Sequence, residues 1–319
     1  MFKNILLFID PNVNSENMLQ CALTLSKKFG SDISLCAVVQ PIPQPVELAI
    51  LEKYAKEILT AKQLDADAAL TVANDFFKHR SIRVNANVLQ GIPFVEIIRL
   101  VAQHHYDLVM MMTDNQKSSI SEKFFGSTQM HLLRKCPSPV WILKPDSGPI
   151  FKRVLTPIDT LDNEDEPLNN ALVEATKAVV EPGNESIHFV QVWSVYGEGY
   201  LSSRGGISEQ TIDQLRAETL RDFQQNVELV ISEQDWGDSE LKTHFPRSNN
   251  PAEEIINLAN KENIDLLIMG TVCRTGIAGF IIGNTAEKVL NEVSCSVLAF
   301  KPKGFISPVL NANVSDALA

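Results

Sequence analysis

Two stretches of this chain are near copies of one another: FKNILLFID at residues 2–10 and FKRVLTPID at 151–159. Each runs from an aromatic residue and a lysine through an apolar segment to an aspartate. The copies stand 149 residues apart, close to half of the 319-residue chain. A repeat of that period is domain-sized, and chain length alone gives the same expectation of two domains.

The likeness continues along both halves. DISLCAVVQ (32–40) is answered by ESIHFVQVW (185–193), and GIPFVEIIRLVAQHHYDLVMMMT (91–113) by NNPAEEIINLANKENIDLLIMGT (249–271). In this second pair a proline precedes apolar residues at helical spacing, Val95, Ile97, Ile98 and Val101 beside Ala252, Ile255, Ile256 and Leu258. Last, FGSTQMHLLRKCPSPVWILKP (125–145) is answered by IGNTAEKVLNEVSCSVLAFKP (282–302). The offset grows from 149 to 158 and then falls to 157, so the main insertion lies in the middle of the second copy.

Short apolar runs bounded by turn residues predict strands in the first copy at about 4–10, 32–39, 83–89, 107–112 and 139–144. Apolar residues at i, i+3 and i+4 predict helices at about 15–29, 48–80, 92–104 and 127–135. Alternating β and α with nearly continuous apolar strands means a parallel sheet covered on both faces. Right-handed crossovers make each copy a doubly wound, Rossmann-like α/β layer. The expected domains are 1–146 and 151–303, joined through the turn-rich KPDSGPIFK (144–152), with a tail at 304–319 whose far end frays.

A hydrophobic fraction of 45% suffices for two cores. The formal charge of −11 repels phosphate backbones and anionic lipid, so neither nucleic acid nor membrane is an expected partner. No segment approaches the ~20 apolar residues of a bilayer span, and the opening apolar run is too short for a signal peptide; the expected location is the cytoplasm. Cys21, Cys36, Cys136, Cys273 and Cys295 form no CxxC pair, and they read as reduced core thiols without a zinc site.

On the ID that ends each first strand, on MGTVCRTGIAGFIIGNTAEKVL (269–290) and on HLLRKCPSPVWILKP (131–145), the chain resembles the universal stress protein superfamily in its tandem two-domain form, over about residues 2–303. The resemblance implies an adenine-nucleotide alpha-hydrolase-like α/β fold, two copies related by pseudo-twofold symmetry, and a loop of the form G-x-x-G-x9-G-[ST] after the fourth strand. Such a loop is an anion nest followed by a helix N-terminus. It also implies that the first strand's Asp and the backbone at the second strand's end meet adenine and ribose. On the second copy this maps to Pro157, Asp159, Val192, Gly270, Thr271, Arg274, Gly276, Gly283, Asn284 and Thr285 as ligand-binding residues. The implied ligand is ATP or AMP, with Mg for the triphosphate.

Two departures from the motif stand out. The second glycine is Cys273, which costs roughly 1–2 kcal/mol if that position needs a positive φ. The final Ser/Thr is Asn284, still a good N-cap. The first copy has shed more: Met112 stands where Gly270 does, DNQKSSISEKFF (114–125) replaces the glycine loop, and only Gly126, Ser127 and Thr128 remain.

Other features read more plainly. Asp10 and Asp159 each close a first strand, where a turn role competes with ligand binding, and Asp10 reads as a turn residue. The acidic DNEDEP (162–167) reads as a solvated face rather than a metal site, and His104-His105 as caps on helix-end carbonyls. Cys273 beside Arg274 reads as a tolerated small residue rather than an oxidant sensor. No G-x-S-x-G motif or Ser/His/Asp order emerges, and no positioned base is evident, which argues against turnover; the role that the resemblance implies is stress-linked binding and regulation. The alternatives are a slow ATPase or phosphotransfer protein at 270–285, and a carrier of an amphipathic phosphorylated metabolite in a crevice lined by Ile277, Phe280, Ile281 and Ile282. The last strand of each copy, PVWILKP and CSVLAFKP, is an apolar edge of the kind that pairs across family dimers. Intramolecular pairing of the two copies is therefore expected, with a homodimer as a further option.

Overall fold

The computed structural model describes residues 1–42, 52–113, 125–145, 147–161, 166–180, 186–204, 206–271 and 282–310. In the first copy the order is β1 (Asn4–Phe8), α1 (Glu16–Phe29), β2 (Asp32–Val39), α2 (Glu52–Lys78), β3 (Val84–Gln90), α3 (Pro93–His104), β4 (Leu108–Met112), α4 (Ser127–Lys135) and β5 (Val140–Leu143). The second runs β6 (Arg153–Pro157), α5 (Glu166–Val179), β7 (Ser186–Val190), α6 (Glu198–Arg204), α7 (Glu209–Ser232), β8 (Glu240–His244), α8 (Pro251–Lys261), β9 (Leu266–Gly270), α9 (Asn284–Glu292) and β10 (Ser296–Phe300).

The local reasons are readable. Helix α1 stops at Gly30, whose φ of 65° is left-handed and whose N–H returns to the Ser26 carbonyl at 2.8 Å. Helix α3 opens on Pro93, which needs no N–H there, and buries Phe94, Val95, Ile97, Ile98 and Val101 along one face. The expected histidine caps take another form. His105 occupies the left-handed position after α3, and the His104 carbonyl accepts from Asn4 Nδ2 at 2.9 Å.

The described residues form two compact units. One gathers those of 1–150, 271–283 and 296–319, the other those of 151–270 and 284–295. In the first, the strand order is β3-β2-β1-β4-β5-β10, parallel except for β10, which lies antiparallel on β5 with Leu298 opposite Trp141. In the second, β9-β6-β7-β8 is parallel throughout.

The sequence repeat and the compact units therefore have different boundaries. Both β5 and β10 are buried along their whole length, and a strand apolar on both faces is stable only inside a sheet. Ser296 reinforces the junction, accepting from the Lys144 N–H at 3.0 Å and pairing with the Ser147 hydroxyl. Beyond β10, Ser307 and Val309 are buried and Pro308–Leu310 forms a single 3-10 turn.

Candidate ligand-binding site

In an open parallel sheet, ligands bind where the strand order reverses, outside the carboxyl ends of the strands. In the second unit the chain runs outward through β6, β7 and β8 and then returns to β9 on the other side of β6. The reversal lies between β6 and β9, which end at Pro157 and Gly270. Sequence reading and topology thus bring Pro157, Asp159 and Gly270 to one sheet edge.

The turn after β6 is held rigidly. Asn169, 4% exposed on α5, donates from Nδ2 to the Asp159 carbonyl at 2.7 Å and accepts the Asp159 N–H at 3.3 Å. The Thr160 N–H donates to Oε1 of buried Gln191 at 2.9 Å. Asp159 Oδ1 accepts the Leu161 N–H at 3.2 Å, a turn role like that of Asp10, whose Oδ1 accepts the Asn12 N–H at 2.9 Å. Asn169 escaped the sequence reading; its signal is a polar residue at an inward position of an apolar helix face.

Gly270 has a packing reason beside its motif reason. A Cβ there would stand 2.8 Å from Leu168 Cδ2, so the Leu168 side chain of α5 fills the space that a larger residue at 270 would need. In the first unit the corresponding Met112 is buried at the end of β4.

Thr271, expected at the ligand, lies inside packing instead. It is 0% exposed; its N–H donates to the Phe300 carbonyl at 3.1 Å, and its carbonyl accepts the Gly283 N–H at 3.0 Å. Its hydroxyl meets the Lys301 amine and the carbonyls of Leu133 and Phe300. Lys301 also donates to the Leu133 carbonyl at 2.6 Å, and burial pushes its amine down to about 7. Gly283 is buried, Asn284 exposed at the start of α9, Thr285 and Val192 half-buried. Arg274 and Gly276 lie outside the described residues, as do Cys273, Ile277, Phe280, Ile281 and the acids at 162–165; Ile282 is buried.

One cavity in the second unit was not foreseen. About 500 Å³ opens at the carboxyl ends of β7 and β8, lined by Ser194, Tyr196, Gly197, Glu198, Arg247 and Asn249 among others. Trp193 and Arg247 form an isolated parallel bridge beneath it. Arg216 holds Glu198, Asp213 at 2.6 Å and Glu209 at 3.0 Å, while Arg247 reaches Glu198 at 3.4 Å. Glu198 above all, then Asp213, keeps the Arg216 guanidinium firmly charged. None of the expected ligand residues among those described lines this cleft. The signal was the growing offset between copies, since the inserted residues fall in the stretch that carries α6.

Among the described residues, no group of three or more His, Cys, Asp or Glu side chains could hold a metal ion, and no helix is long and apolar enough to cross a membrane. Cys21, Cys36, Cys136 and Cys295 are buried thiols outside any disulfide; burial pushes the first three up to about 12, which keeps them protonated and inert.

The doubled layer and its reversal points define a tandem, doubly wound α/β protein, and comparison places it. The universal stress protein family matches at residues 1–144 and again at 150–301, and the chain belongs to that family. It is 26% identical over 314 residues to universal stress protein E of Escherichia coli strain K12, covering 97% of each chain. A universal stress protein E homolog of Haemophilus influenzae is 25% identical, covering 94% of this chain and 98% of its own. Among solved structures, a universal stress protein from Archaeoglobus fulgidus shares the fold with a TM-score of 0.59 at 21% identity, over 94% of this chain and 98% of its own. A functionally unknown protein from Pseudomonas aeruginosa PAO1 reaches 0.64 at 20% identity, over 94% and 93%.

Proposed function

We propose that this universal stress protein is a cytoplasmic binding and regulatory protein whose second copy holds an adenine nucleotide or a similarly phosphorylated small molecule. The observation that carries the reading is the strand reversal between β6 and β9, flanked by Pro157 and Asp159 on one side and by Gly270 on the other. Adenine and ribose meet the backbone around Pro157, Asp159 and Val192. The phosphates meet the loop that starts at Gly270, passes Arg274 and Gly276, and ends at Gly283, Asn284 and Thr285 on the first turn of α9. Exposed Asn284 suits that role, because a helix start offers unpaired N–H donors and partial positive charge. Thr271 braces the loop base rather than touching ligand.

A bound triphosphate would bring Mg with it, held by phosphate oxygens and water. Asp159 spends one carboxylate oxygen on its turn, which argues for a positioning role rather than that of a base for hydrolysis. The first copy, with Met112 at its reversal point, serves as a structural or regulatory half.

Calorimetric titration of the purified full chain with ATP, AMP and adenosine tests the reading. Saturable binding that Gly283→Val abolishes and Gly126→Val leaves intact is expected, with no phosphate release over hours. Absence of saturable binding, or binding lost through Gly126→Val alone, overturns it; phosphate release abolished by Gly283→Val makes the protein an enzyme instead.

A further inference from the structure

Strand β3 ends the first unit's sheet, and among the described residues no strand covers its outer edge. An open edge is a template for another chain, and proteins that remain apart guard it with charge, proline or a bulge. The edge strand of the second unit, β8, is guarded in this way, with Glu240 and Lys242 paired at 3.4 Å along ELKTH. Strand β3 reads VNANVLQ, seven residues with no charge and no proline, exposed at Asn85, Ala86, Asn87 and Gln90. On a molecule of net charge −11 this neutral strip is where a second copy meets least repulsion.

The register follows from the hydrogen bonds already made. The Gly91 N–H donates inward to the Val39 carbonyl at 3.1 Å, so by alternation the backbone groups of residues 91, 89, 87 and 85 face β2. Those of Val84, Ala86, Val88 and Gln90 face outward. An antiparallel partner related by a twofold axis at Asn87 sets Ala86 opposite Val88 and Val84 opposite Gln90, outward groups against outward groups. That pairing forms about eight backbone hydrogen bonds.

The same register brings charge to charge. Arg83 falls opposite Gly91 of the second copy, and the Glu96 carboxylate lies against Gly91, with Oε1 2.7 Å from where a Cβ would stand and already accepting from Arg99 of its own helix at 2.7 Å, so Arg83 would share that carboxylate. Symmetry makes this contact twice. Beside it, a groove of about 490 Å³ offers the Arg83 stem the apolar side chains of Leu89 and Leu100, with Glu96 and Arg99 at its charged side.

We propose that this chain forms a homodimer through antiparallel pairing of β3 with β3 of a second copy, centred on Asn87. Sedimentation of the full chain, with circular dichroism as the check on folding, is expected to show a dimer at micromolar concentration. Arg83→Glu weakens it by roughly tenfold, and adding Glu96→Lys restores it. The register has its own test. In a Cys273→Ser background, Asn87→Cys lies across a non-hydrogen-bonded pair and oxidises to a covalent dimer, while Asn85→Cys, opposite Leu89, does not. A monomer at about 100 μM, or a dimer in which Asn87→Cys fails to cross-link, overturns the proposal.

Discussion

The amine of Lys301, just past β10, donates to the carbonyl of Leu133 in the last turn of α4 at 2.6 Å. The same amine meets the Thr271 hydroxyl and lies 5.1 Å from the centre of the Phe305 ring. A cation suits a helix C-terminus, but no carboxylate pairs with it among the described residues, and the thiol it approaches, Cys136, is held neutral by burial. Loss of hydration therefore dominates, and the folded amine sits well below its ordinary value.

Stability should accordingly depend on pH through this one residue. The unfolded lysine keeps its proton up to 10.5, whereas the folded one releases it at about 7. Between those values the unfolded state binds more protons, so stability rises with pH, by up to about 1.4 kcal/mol per pH unit. Urea titrations from pH 6 to pH 10 should show the unfolding free energy of the wild-type protein climbing relative to Lys301→Met. Parallel curves would place the amine's titration outside this window.

A second pair sets the acid limit. His188, 1% exposed on β7, shares a hydrogen bond of 3.1 Å from Nδ1 to His244 Nε2 on β8, and its Nε2 meets the Ser186 hydroxyl at 2.9 Å. Burial, then repulsion from His244, pushes His188 down to about 4, with Lys242 lowering it further and Glu262 and Glu240 pulling the other way; burial lowers His244 as well. The unfolded histidine takes its proton near 6.5, so stability is intact above that pH and is lost as pH falls toward 4. The pairing of the two rings needs at least one neutral imidazole. His188→Gln should flatten the acid limb of a stability profile between pH 6.5 and 4, read by the tryptophan fluorescence of thermal melts, and an unchanged limb would move the acid sensitivity elsewhere.

How far these features could be read in advance depends on whether their cause is local. The strands of the first copy were placed to within two residues, β2 without error, because an apolar run such as ISLCAVV followed by a turn has little choice of structure. The glycine at 270 and the aspartate at 159 were legible as the ends of strands. The His188–His244 pair was not, since the partners are 56 residues apart and meet only through the parallel register of β7 on β8. Lys301 was equally opaque: the KP that ends a strand says nothing about a helix end 168 residues away. The cleft beside Arg247 depends on the same strand pairing, so the repeat offset marked its place in the chain but not its shape.

Asn169 offers a way to separate holding a turn from touching a ligand. Its amide fixes the Asp159 backbone from both sides, and removing it leaves the Asp159 groups seeking other partners. Asn169→Ala should cost about 1–3 kcal/mol of stability. Nucleotide affinity should fall with it, through a loosened turn, while Asp159→Ala weakens binding at a smaller cost in stability. If both variants lose stability and affinity in the same proportion, Asp159 is only a turn residue.

The contact between Gly270 and Leu168 gives the sharpest structural test. Gly270→Ala places a methyl 2.8 Å from Leu168 Cδ2, a flexible side chain that must swing aside, at a cost of about 1–2 kcal/mol. Gly270→Met, which copies the residue at 112, should cost more, because α5 itself must retreat from β9. Leu168→Ala removes the obstructing branch, so the double variant Gly270→Ala/Leu168→Ala should be more stable than the sum of the two single losses predicts, with a coupling of about 1 kcal/mol. Denaturation of the four proteins under identical conditions measures it. Strict additivity would mean that the backbone at 270, not the space above it, demands glycine, and the second copy's open reversal point would then be a consequence of chain conformation rather than of helix packing.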